Sequence, residues 1–353
     1  MAKKVFKKIS MVTALVLSII LLLGSLCGIF LIYGPVEYLR DLWITTAMET
    51  FHHQYLATWF FEEEYIDLVV ERNKPQVNEE EINLDLIQIG DGEAMPEDLT
   101  SESEPEFDSE VEVIIEQEPP KPLITIEDVS RRNFVGYMMI ISDPSLVRVG
   151  VTKGLGRSGE RLDDMCERLD AVAGLNAGGF SDKNGTGNGG YAEGIVMQDG
   201  EIVWNSTKGS KHDVVGITYD GKLILQRMTE AEIKESNIRD CIEFNPFLIV
   251  NGVPTKVGVT GIHPRSSIGQ TADGTFLFLA IDGRSTKSVG ASQADVIEIM
   301  LEYGAVNCAN LDGGSSSTMI HDGKLINKPS SARDMRSIAT AFVVLDPEKM
   351  TQE

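Results

Sequence analysis

A long uncharged apolar run near the start of the chain, Ile9 to Tyr33, limits where everything after it can be. At 1.5 Å per residue in a helix, this run is long enough to cross a hydrocarbon core about 30 Å thick. Lysines crowd residues 1–8, and lysines beside a span favour the cytoplasmic side. We therefore expect a cytoplasmic tail at 1–8, a single-pass membrane anchor at 9–33 and an extracellular remainder. A cleaved signal peptide is the alternative, but its apolar stretch would be shorter.

The composition then changes twice along the chain. Residues 34–72 mix aromatic and apolar side chains with scattered charges, which is typical of helical structure close to a membrane. Residues 73–122 are strongly acidic and carry much of the formal net charge of -23, so we expect an extended, disordered acidic linker. A folded domain should occupy 123–353. The absence of a basic patch argues against nucleic acid as a partner.

The sequence indicates no cofactor. The four cysteines include no Cys-x-x-Cys pair, and His52 and His53 have no third metal ligand nearby. No cofactor is therefore expected to be required, and a divalent metal is possible but not indicated. A Gly-x-Gly-x-x-Gly match at Gly154, Gly156 and Gly159 also fails as a dinucleotide fingerprint, because the next strand ends without the acidic residue that would bind ribose.

The folded region is rich in strands and turns. Asp-Gly lies between two apolar runs in four segments, and this pair suits the type I′ turn of a β-hairpin. Helical patterns occur at 159–169, 229–237 and 292–303, the last two with a capping-box start. These patterns predict an α+β fold, with a mixed, hairpin-rich β-sheet and a few packed helices, preceded by the transmembrane helix and the acidic linker.

Two buried-strand patterns end in Asp-Gly within the stretch 264–314, at Asp282 and Asp312. The helical pattern at 292–303 lies between them, so both carboxylates could lie at one rim of the sheet. Taken alone, an Asp-Gly after a strand is more often a turn than a catalytic acid. Pairs of glycines and several arginines near these strand ends could bind a phosphate through N–H groups and paired donors.

Together, these residues and motifs resemble the phosphodiester glycosidase family, which includes bacterial exopolysaccharide-related proteins. The resemblance covers roughly residues 149–344. Its most specific part is a series of motifs in fixed order from Arg265 to Met319, the last of which is NLDGGSSST. Ser315 departs from the family pattern, which usually has a third glycine there. The implied site contains Asp312 and Asp282 as catalytic carboxylates, with a larger substrate-binding set: Asn176, Gly178, Gly179, Asn251, Arg265, Arg284, Asn310, Gly313, Gly314, Ser316, Thr318 and Arg336.

The resemblance implies hydrolysis of the bond between the anomeric carbon of a GlcNAc-like sugar and a phosphodiester. The expected partner is a phosphosugar-containing glycan or glycoconjugate in envelope or exopolysaccharide material. Two alternatives stay open: a non-catalytic module for glycan binding or exopolysaccharide assembly, and a metal-dependent phosphodiesterase with Asp282 and Asp312 as ligands. The sequence does not decide the oligomeric state.

Overall fold

The computed structural model describes residues 2–50, 53–76, 80–89, 121–182, 187–331 and 334–350. Its first element is the long helix α1 (Ala2–Tyr33), and from Met11 onward most of the side chains of α1 are exposed. Within the described residues, the segment Met11–Tyr33 of α1 is long enough and apolar enough to cross a membrane.

Three helices follow directly and pack on one another: α2 (Glu37–Met48), α3 (Tyr55–Thr58) and α4 (Glu63–Asn73). They share a small apolar core of fully or nearly fully buried side chains, Ile44, Ala47, Ala57, Ile66 and Val69. Asp41 is buried between α2 and α4, where its carboxylate accepts hydrogen bonds from Arg72 and Asn73. The segment 37–73 is therefore a compact helical unit, called the proximal helices below.

The remaining chain forms three antiparallel sheets with short helices on them. The strands are β1 (Ile124–Asp128), β2 (Gly136–Ile141), β3 (Val147–Val151), β4 (Ala171–Asn176), β5 (Ile195–Gln198), β6 (Glu201–Asn205), β7 (Lys211–Thr218), β8 (Leu223–Thr229), β9 (Ile238–Glu243), β10 (Phe247–Val250), β11 (Val253–Pro254), β12 (Arg265–Thr271), β13 (Phe276–Ile281), β14 (Ala305–Asn310), β15 (Met319–His321), β16 (Lys324–Leu325) and β17 (Thr340–Leu345). The helices are α5 (Leu162–Arg168), α6 (Glu230–Glu235), α7 (Gln293–Glu302) and α8 (Pro347–Met350).

The seven-stranded sheet has the order β1-β2-β13-β12-β14-β10-β11, and the two five-stranded sheets have the orders β16-β15-β4-β17-β3 and β6-β5-β9-β7-β8. The predicted α+β class is confirmed. The pairings between described strands are all antiparallel, so the expected single mixed sheet is divided among three antiparallel sheets. All four Asp-Gly segments form hairpins, and in the β5–β6 turn Asp199 and Gly200 both have positive φ, as a type I′ turn requires.

Strand β13 shows how the sheets share the core. All six of its residues are buried, which is why the sequence reads as an unbroken apolar run. Alternate side chains point to opposite faces, so Phe276 and Phe278 join the main core between the sheets, while Leu277 and Leu279 pack beneath α7. The capping box at Ser292 and Asp295 that starts α7 is present as predicted.

Part of the predicted acidic linker packs on the domain. Ile87 is 1% exposed, and the backbone N–H of Gln88 donates to the carbonyl oxygen of Ala272 at 2.8 Å. The backbone N–H of Asn83 donates to Oδ1 of Asn251 at 2.8 Å. The prediction of a disordered linker over 73–122 is therefore wrong for 80–89, where apolar residues between the acidic ones find a surface to cover. Residues 90–120 lie outside the described residues.

Candidate active site

A cleft of about 1660 Å³ opens at one edge of the seven-stranded sheet. Strand β12 begins at this edge and β14 ends there, because the two strands are antiparallel neighbours, with Ser267 opposite Asn310. The loop 311–316 that follows β14 forms the floor of the cleft, and the loop after β4 adds Gly179 and Phe180. The other side of the cleft is lined by the proximal helices.

Asp312 lies in this floor and is held by its backbone. Its N–H donates to the carbonyl oxygen of Ala177 at 2.9 Å, and its carbonyl oxygen accepts from Nδ2 of Asn176 at 2.5 Å. Oδ1 of Asn176 in turn accepts from the hydroxyl of Ser266 and the N–H of Thr318. Asn176 is therefore a buried positioning residue that joins β4, β12 and the loop carrying Asp312, rather than a residue that lines the cleft.

Burial raises the pKa of Asp312 to about 6. The residue keeps part of its surface open to the cleft, but its carboxyl group has lost much of its contact with water, which disfavours the charged form. A hydrogen bond from Ser316 and the charge of Arg336 oppose this rise, whereas the charges of Glu193 and Asp182 add to it. Asp312 thus changes protonation state close to neutral pH, as catalytic carboxyl groups often do.

The three predicted arginines all line the cleft but differ in what they contact. Arg265 is buried, donating from Nε to the carbonyl oxygen of Ala291 and from Nη2 to that of Gly261. Arg336 is paired with Asp182, with Nη2 and Oδ2 2.6 Å apart. The guanidinium of Arg284 donates no hydrogen bond to any described residue, and the neighbouring charge with the largest effect on its pKa is that of Asp312. Arg284 is thus the arginine best placed to receive a new anion.

The glycines of the floor are needed for close approach between loops. A Cβ on Gly313 would lie 2.7 Å from the carbonyl oxygen of Pro264, and Gly314 has a φ of +63°. Its N–H also bonds to the same carbonyl oxygen at 3.0 Å, so this group is not free for a ligand. Ser315, where the family pattern has a further glycine, accepts a hydrogen bond from Nη1 of Arg336. The side chain of Ser315 thus contacts an arginine of the site.

Two buried amides in the cleft have acceptor atoms without a partner among the described residues. They are Oδ1 of Asn310 and Oε1 of Gln293, on side chains whose residues are 6% and 7% exposed. A buried carbonyl oxygen left without a donor is costly, so a ligand hydroxyl or N–H would be favoured there. Gln293 was not predicted from the sequence, although its place as the first residue of α7 brings it to the cleft.

The second carboxylate predicted to be catalytic, that of Asp282, lies outside the cleft. Asp282 is 8% exposed and does not line the cleft. Its Oδ1 accepts from Nδ2 of Asn327 at 3.1 Å and from the N–H of Lys328 at 2.8 Å, so it ties β13 to a following loop. Burial raises its pKa, while these hydrogen bonds oppose the rise. The carboxylate of Glu193 is exposed in the cleft and acts electrostatically on Asp312.

Three other predicted residues also lie away from the cleft. Asn251 follows the opposite end of β10, where its side chain binds the backbone of Asn83 and Glu81. The N–H of Gly178 is used by Oγ1 of Thr340, and Thr318 is buried behind the floor. The predictions for these three as substrate ligands are not retained. The predicted residues that do meet in the cleft are Gly179, Arg265, Arg284, Asn310, Asp312, Gly313, Gly314, Ser316 and Arg336.

Within the described residues, no cluster of three or more His, Cys, Asp or Glu side chains could hold a metal ion. His263 lies in the cleft beside Arg265, and burial together with the charges of Arg265 and Arg284 lowers its pKa to about 3. It is therefore neutral at physiological pH, and its approach to Glu49 is a polar contact rather than an ion pair.

Comparisons with known proteins identify relatives of this chain. An uncharacterized SPbeta prophage-derived protein of Bacillus subtilis (strain 168) is 26% identical over 258 residues, which cover 68% of this chain and 37% of that protein. The human N-acetylglucosamine-1-phosphodiester alpha-N-acetylglucosaminidase is 26% identical over 193 residues, covering 45% of this chain and 36% of the human protein. This chain thus spans little more than a third of the length of either relative.

A solved structure shares the fold. It is the zebrafish N-acetylglucosamine-1-phosphodiester alpha-N-acetylglucosaminidase catalytic domain, auto-inhibited by its pro-peptide, which aligns with a TM-score of 0.55 at 21% identity over 64% of this chain and 84% of that one. The family model described as phosphodiester glycosidase matches residues 170–345, which include Asp312 and the loops around it. The folded domain of this chain belongs to the phosphodiester glycosidase family.

Proposed function

We propose that this protein hydrolyses the bond between the anomeric carbon of a GlcNAc-like sugar and a phosphodiester. The observation that carries the proposal is Asp312, a carboxyl group with a pKa of about 6 on the cleft floor, together with the guanidinium of Arg284, which has no hydrogen-bond or ion-pair partner among the described residues. Family membership and the name of the human relative support the same reaction.

The reaction needs a carboxylate at the sugar and cations at the phosphate. Water supplies an oxygen to the anomeric carbon, the bond from that carbon to the phosphate oxygen breaks, and its electron pair leaves with the phosphate. The departing phosphomonoester is already a good leaving group, so stabilising its charge matters more than protonating it. Arg284 and Arg336 both line the cleft, and we assign this role to Arg284.

Ionised Asp312 is the group we assign to the anomeric centre, where an oxocarbenium-like transition state forms. Glu193 is another carboxylate in the cleft, and its charge acts on Asp312. The unpartnered acceptors of Asn310 and Gln293 suit sugar hydroxyl or amide N–H groups. The sugar would then lie on the side of these amides, with the phosphate on the side of Arg284.

We further propose that α1 anchors the protein in the cell membrane, with residues 1–8 cytoplasmic and the catalytic domain outside. The length and composition of Met11–Tyr33 support an anchor, as does the lysine-rich tail before it. The substrate on that side would be a phosphosugar-containing glycan of the cell envelope or of exopolysaccharide.

Product analysis with the full chain in detergent micelles tests the reaction. The methyl phosphodiester of GlcNAc-1-phosphate should yield free GlcNAc and methyl phosphate. Release of GlcNAc-1-phosphate instead would show cleavage of a P–O bond and contradict the proposal, and an unchanged substrate would support a non-catalytic glycan-binding module. Arg284→Ala should slow release of GlcNAc by about 10²-fold, as expected for a lost transition-state donor.

A further inference from the structure

The proximal helices are fitted to the catalytic domain through a loop rich in glycine, residues 256–263. The N–H of Val259 donates to Oδ1 of Asn73 at 2.8 Å, while Nδ2 of Asn73 is held by Asp41 at 2.7 Å. A Cβ on Gly258 would lie 2.6 Å from Cα of Asn73. The two backbones can therefore meet only because this position is glycine.

A second contact of the same kind lies beside the cleft. Oε1 of Glu49 accepts from the N–H of Gly261 at 2.9 Å, and Oε2 lies 3.3 Å from Nη2 of Arg265. A Cβ on Gly261 would lie 2.9 Å from Cα of Thr46. The side chain of Thr46 also accepts a hydrogen bond from the N–H of Ile262 at 3.2 Å. These contacts join the end of α2 to the start of β12.

The proximal helices thereby form one wall of the cleft that contains Asp312. Residues at or just beyond the C-terminal ends of α2 and α4 line the cleft: Thr45, Met48, Glu49, Val70, Asn73 and Lys74. The cleft volume of about 1660 Å³ exceeds the range of roughly 300–1,000 Å³ usual for small-molecule sites. A substrate longer than one sugar phosphate would therefore touch this wall.

The same helices are joined directly to the end of α1. Nη1 of Arg40 donates to the carbonyl oxygen of Ile32, in the last turn of α1, at 3.3 Å and to that of Gly34, just after α1, at 3.2 Å. Its Nε donates to the hydroxyl of Tyr65 on α4 at 2.8 Å. One arginine thus joins α1, α2 and α4.

The acidic segment does not separate the anchor from the cleft. On its N-terminal side, the N–H of Gln76 donates to the carbonyl oxygen of Lys256 at 3.0 Å, and residues 80–89 pack on the same domain. On its C-terminal side the chain enters β1 of the seven-stranded sheet. The residues on both sides of the segment 90–120 therefore belong to one body. The length of this segment does not change the distance between the anchor and the cleft.

The path from α1 to the cleft is short. Residues 34–36 join Tyr33 to the start of α2, which makes four Cα–Cα steps of no more than about 3.5 Å each, and the twelve residues of α2 rise about 18 Å. Glu49 follows α2 at once and lines the cleft. The cleft wall is therefore within roughly 30 Å of the end of α1.

We infer that the site acts on a sugar-1-phosphodiester held in the same membrane as the protein, such as one whose alcohol portion is a lipid. This inference rests on the proposed function and on the proposed anchor. A cleft kept this close to the lipid surface meets substrates of that surface at high effective concentration and reaches distant ones poorly.

Reconstituted vesicles test the inference with a defined probe. The full chain is placed in phosphatidylcholine and phosphatidylglycerol vesicles, and the substrate is a GlcNAc-1-phosphodiester of dialkylglycerol in the same vesicles or in separate ones. Release of GlcNAc should be at least about 10-fold faster from the same vesicles than from separate ones, as expected when attachment raises the effective concentration. Vesicle flotation shows that the protein is membrane-bound.

Two matched insertions test whether the short connection between α1 and the cleft causes the preference for substrate in the same vesicles. A Gly/Ser linker of about 40 residues, with a root-mean-square length of about 35 Å, is inserted after Gly34 or, as the control, within the acidic residues 91–119. The insertion after Gly34 should reduce the preference for the same vesicles several-fold. The same insertion in the acidic segment should leave the preference unchanged, since both ends of that segment lie on one body.

Separate outcomes contradict the inference and the proposed function. Equal rates from the same and separate vesicles, or a preference altered by the acidic-segment insertion alone, would overturn the inference while the soluble methyl diester is still hydrolysed. Failure to float with vesicles, or turnover of the soluble diester without turnover of the lipid diester, would overturn it as well. Loss of hydrolysis of the soluble diester by the native chain would instead overturn the proposed function.

Discussion

The loops that follow β13 and β14 begin alike in sequence and differ in role. Each continues an apolar buried strand into Leu- or Ile-Asp-Gly, and each lies at the same edge of the sheet, since β12 is antiparallel to both strands. Asp282 has its carboxylate turned into protein donors, whereas Asp312 has its backbone held and its carboxylate in the cleft. Position in a sheet thus brings a carboxylate to an edge, but its hydrogen bonds decide whether it is available for chemistry.

The two loops also differ in which residue each supplies. The loop after β13 places Arg284, two residues beyond Asp282, beside Gly314 of the other loop. Arg284 has a φ of +56°, an uncommon conformation for a residue with a side chain. The first loop therefore provides a cation and the second an acid, and the candidate site needs both.

The largest expected effect is a difference in activity between variants of the two aspartates. Asp312→Asn should lower kcat/KM for a GlcNAc-1-phosphodiester by at least about 10²-fold, because a neutral amide cannot serve as nucleophile or base. Asp282→Asn keeps an acceptor oxygen for Lys328 and should stay within about 3-fold of the native rate. Steady-state kinetics of both variants, with circular dichroism as a folding control, decides this. Equal losses would return Asp282 to the site.

A second test uses the pH dependence of the same reaction. If ionised Asp312 acts on the substrate, kcat/KM should rise about tenfold per pH unit below the pKa of about 6 and level off above it. Because the charge of Glu193 raises that pKa, Glu193→Gln should move the midpoint to lower pH. A rate that falls as pH rises through 6 would show that the protonated form of Asp312 is the active one.

The smallest expected effect concerns stability. The folded-state pKa of Asp312 is raised from 3.8 to about 6, so its stabilising contribution is fully present below about 3.8 and is lost as pH rises through about 6. Asp312→Asn removes an ionised group from a poorly hydrated place and should raise the free energy of unfolding at pH 7.5 by at most about 3 kcal/mol.

Thermal unfolding of the native chain and the Asp312→Asn variant at pH 7.5 and at pH 4 measures this effect. The gain in Tm should shrink at pH 4, where the native carboxyl group is also neutral. A variant less stable than the native chain at pH 7.5 would mean that the contacts of Asp312 with Ser316 and Arg336 outweigh the cost of burying its charge.

Local features were predictable because they depend on neighbouring residues. Asp199 and Gly200 adopt the positive φ of a tight turn between β5 and β6, and Ser292 and Asp295 cap a helix through contacts three residues apart. The strand ends at Asp282 and Asp312 follow from unbroken apolar runs. Most arginines and glycines of the cleft were recognisable from the family resemblance, although Asn251 and Gly178 among the predicted residues serve the scaffold.

Interactions between distant segments were beyond the reach of such patterns. Nothing near Glu193 marks it as a partner of Asp312, because the two approach only when the sheet edges meet. Glu49 and Asn73 read as ordinary residues of membrane-proximal helices, and only the folded chain brings them against Gly261 and Gly258.

Residue type and periodicity alone determined the long apolar helix, the hairpins, the α+β class and the presence of a carboxylate and arginines at strand ends. Tertiary structure decided which aspartate faces the cleft, which arginine is left unpaired and that the proximal helices form a wall of it. The physical reason is that turns and caps depend on a few consecutive residues. Burial, pKa and hydrogen-bond availability depend instead on atoms contributed from distant parts of the chain.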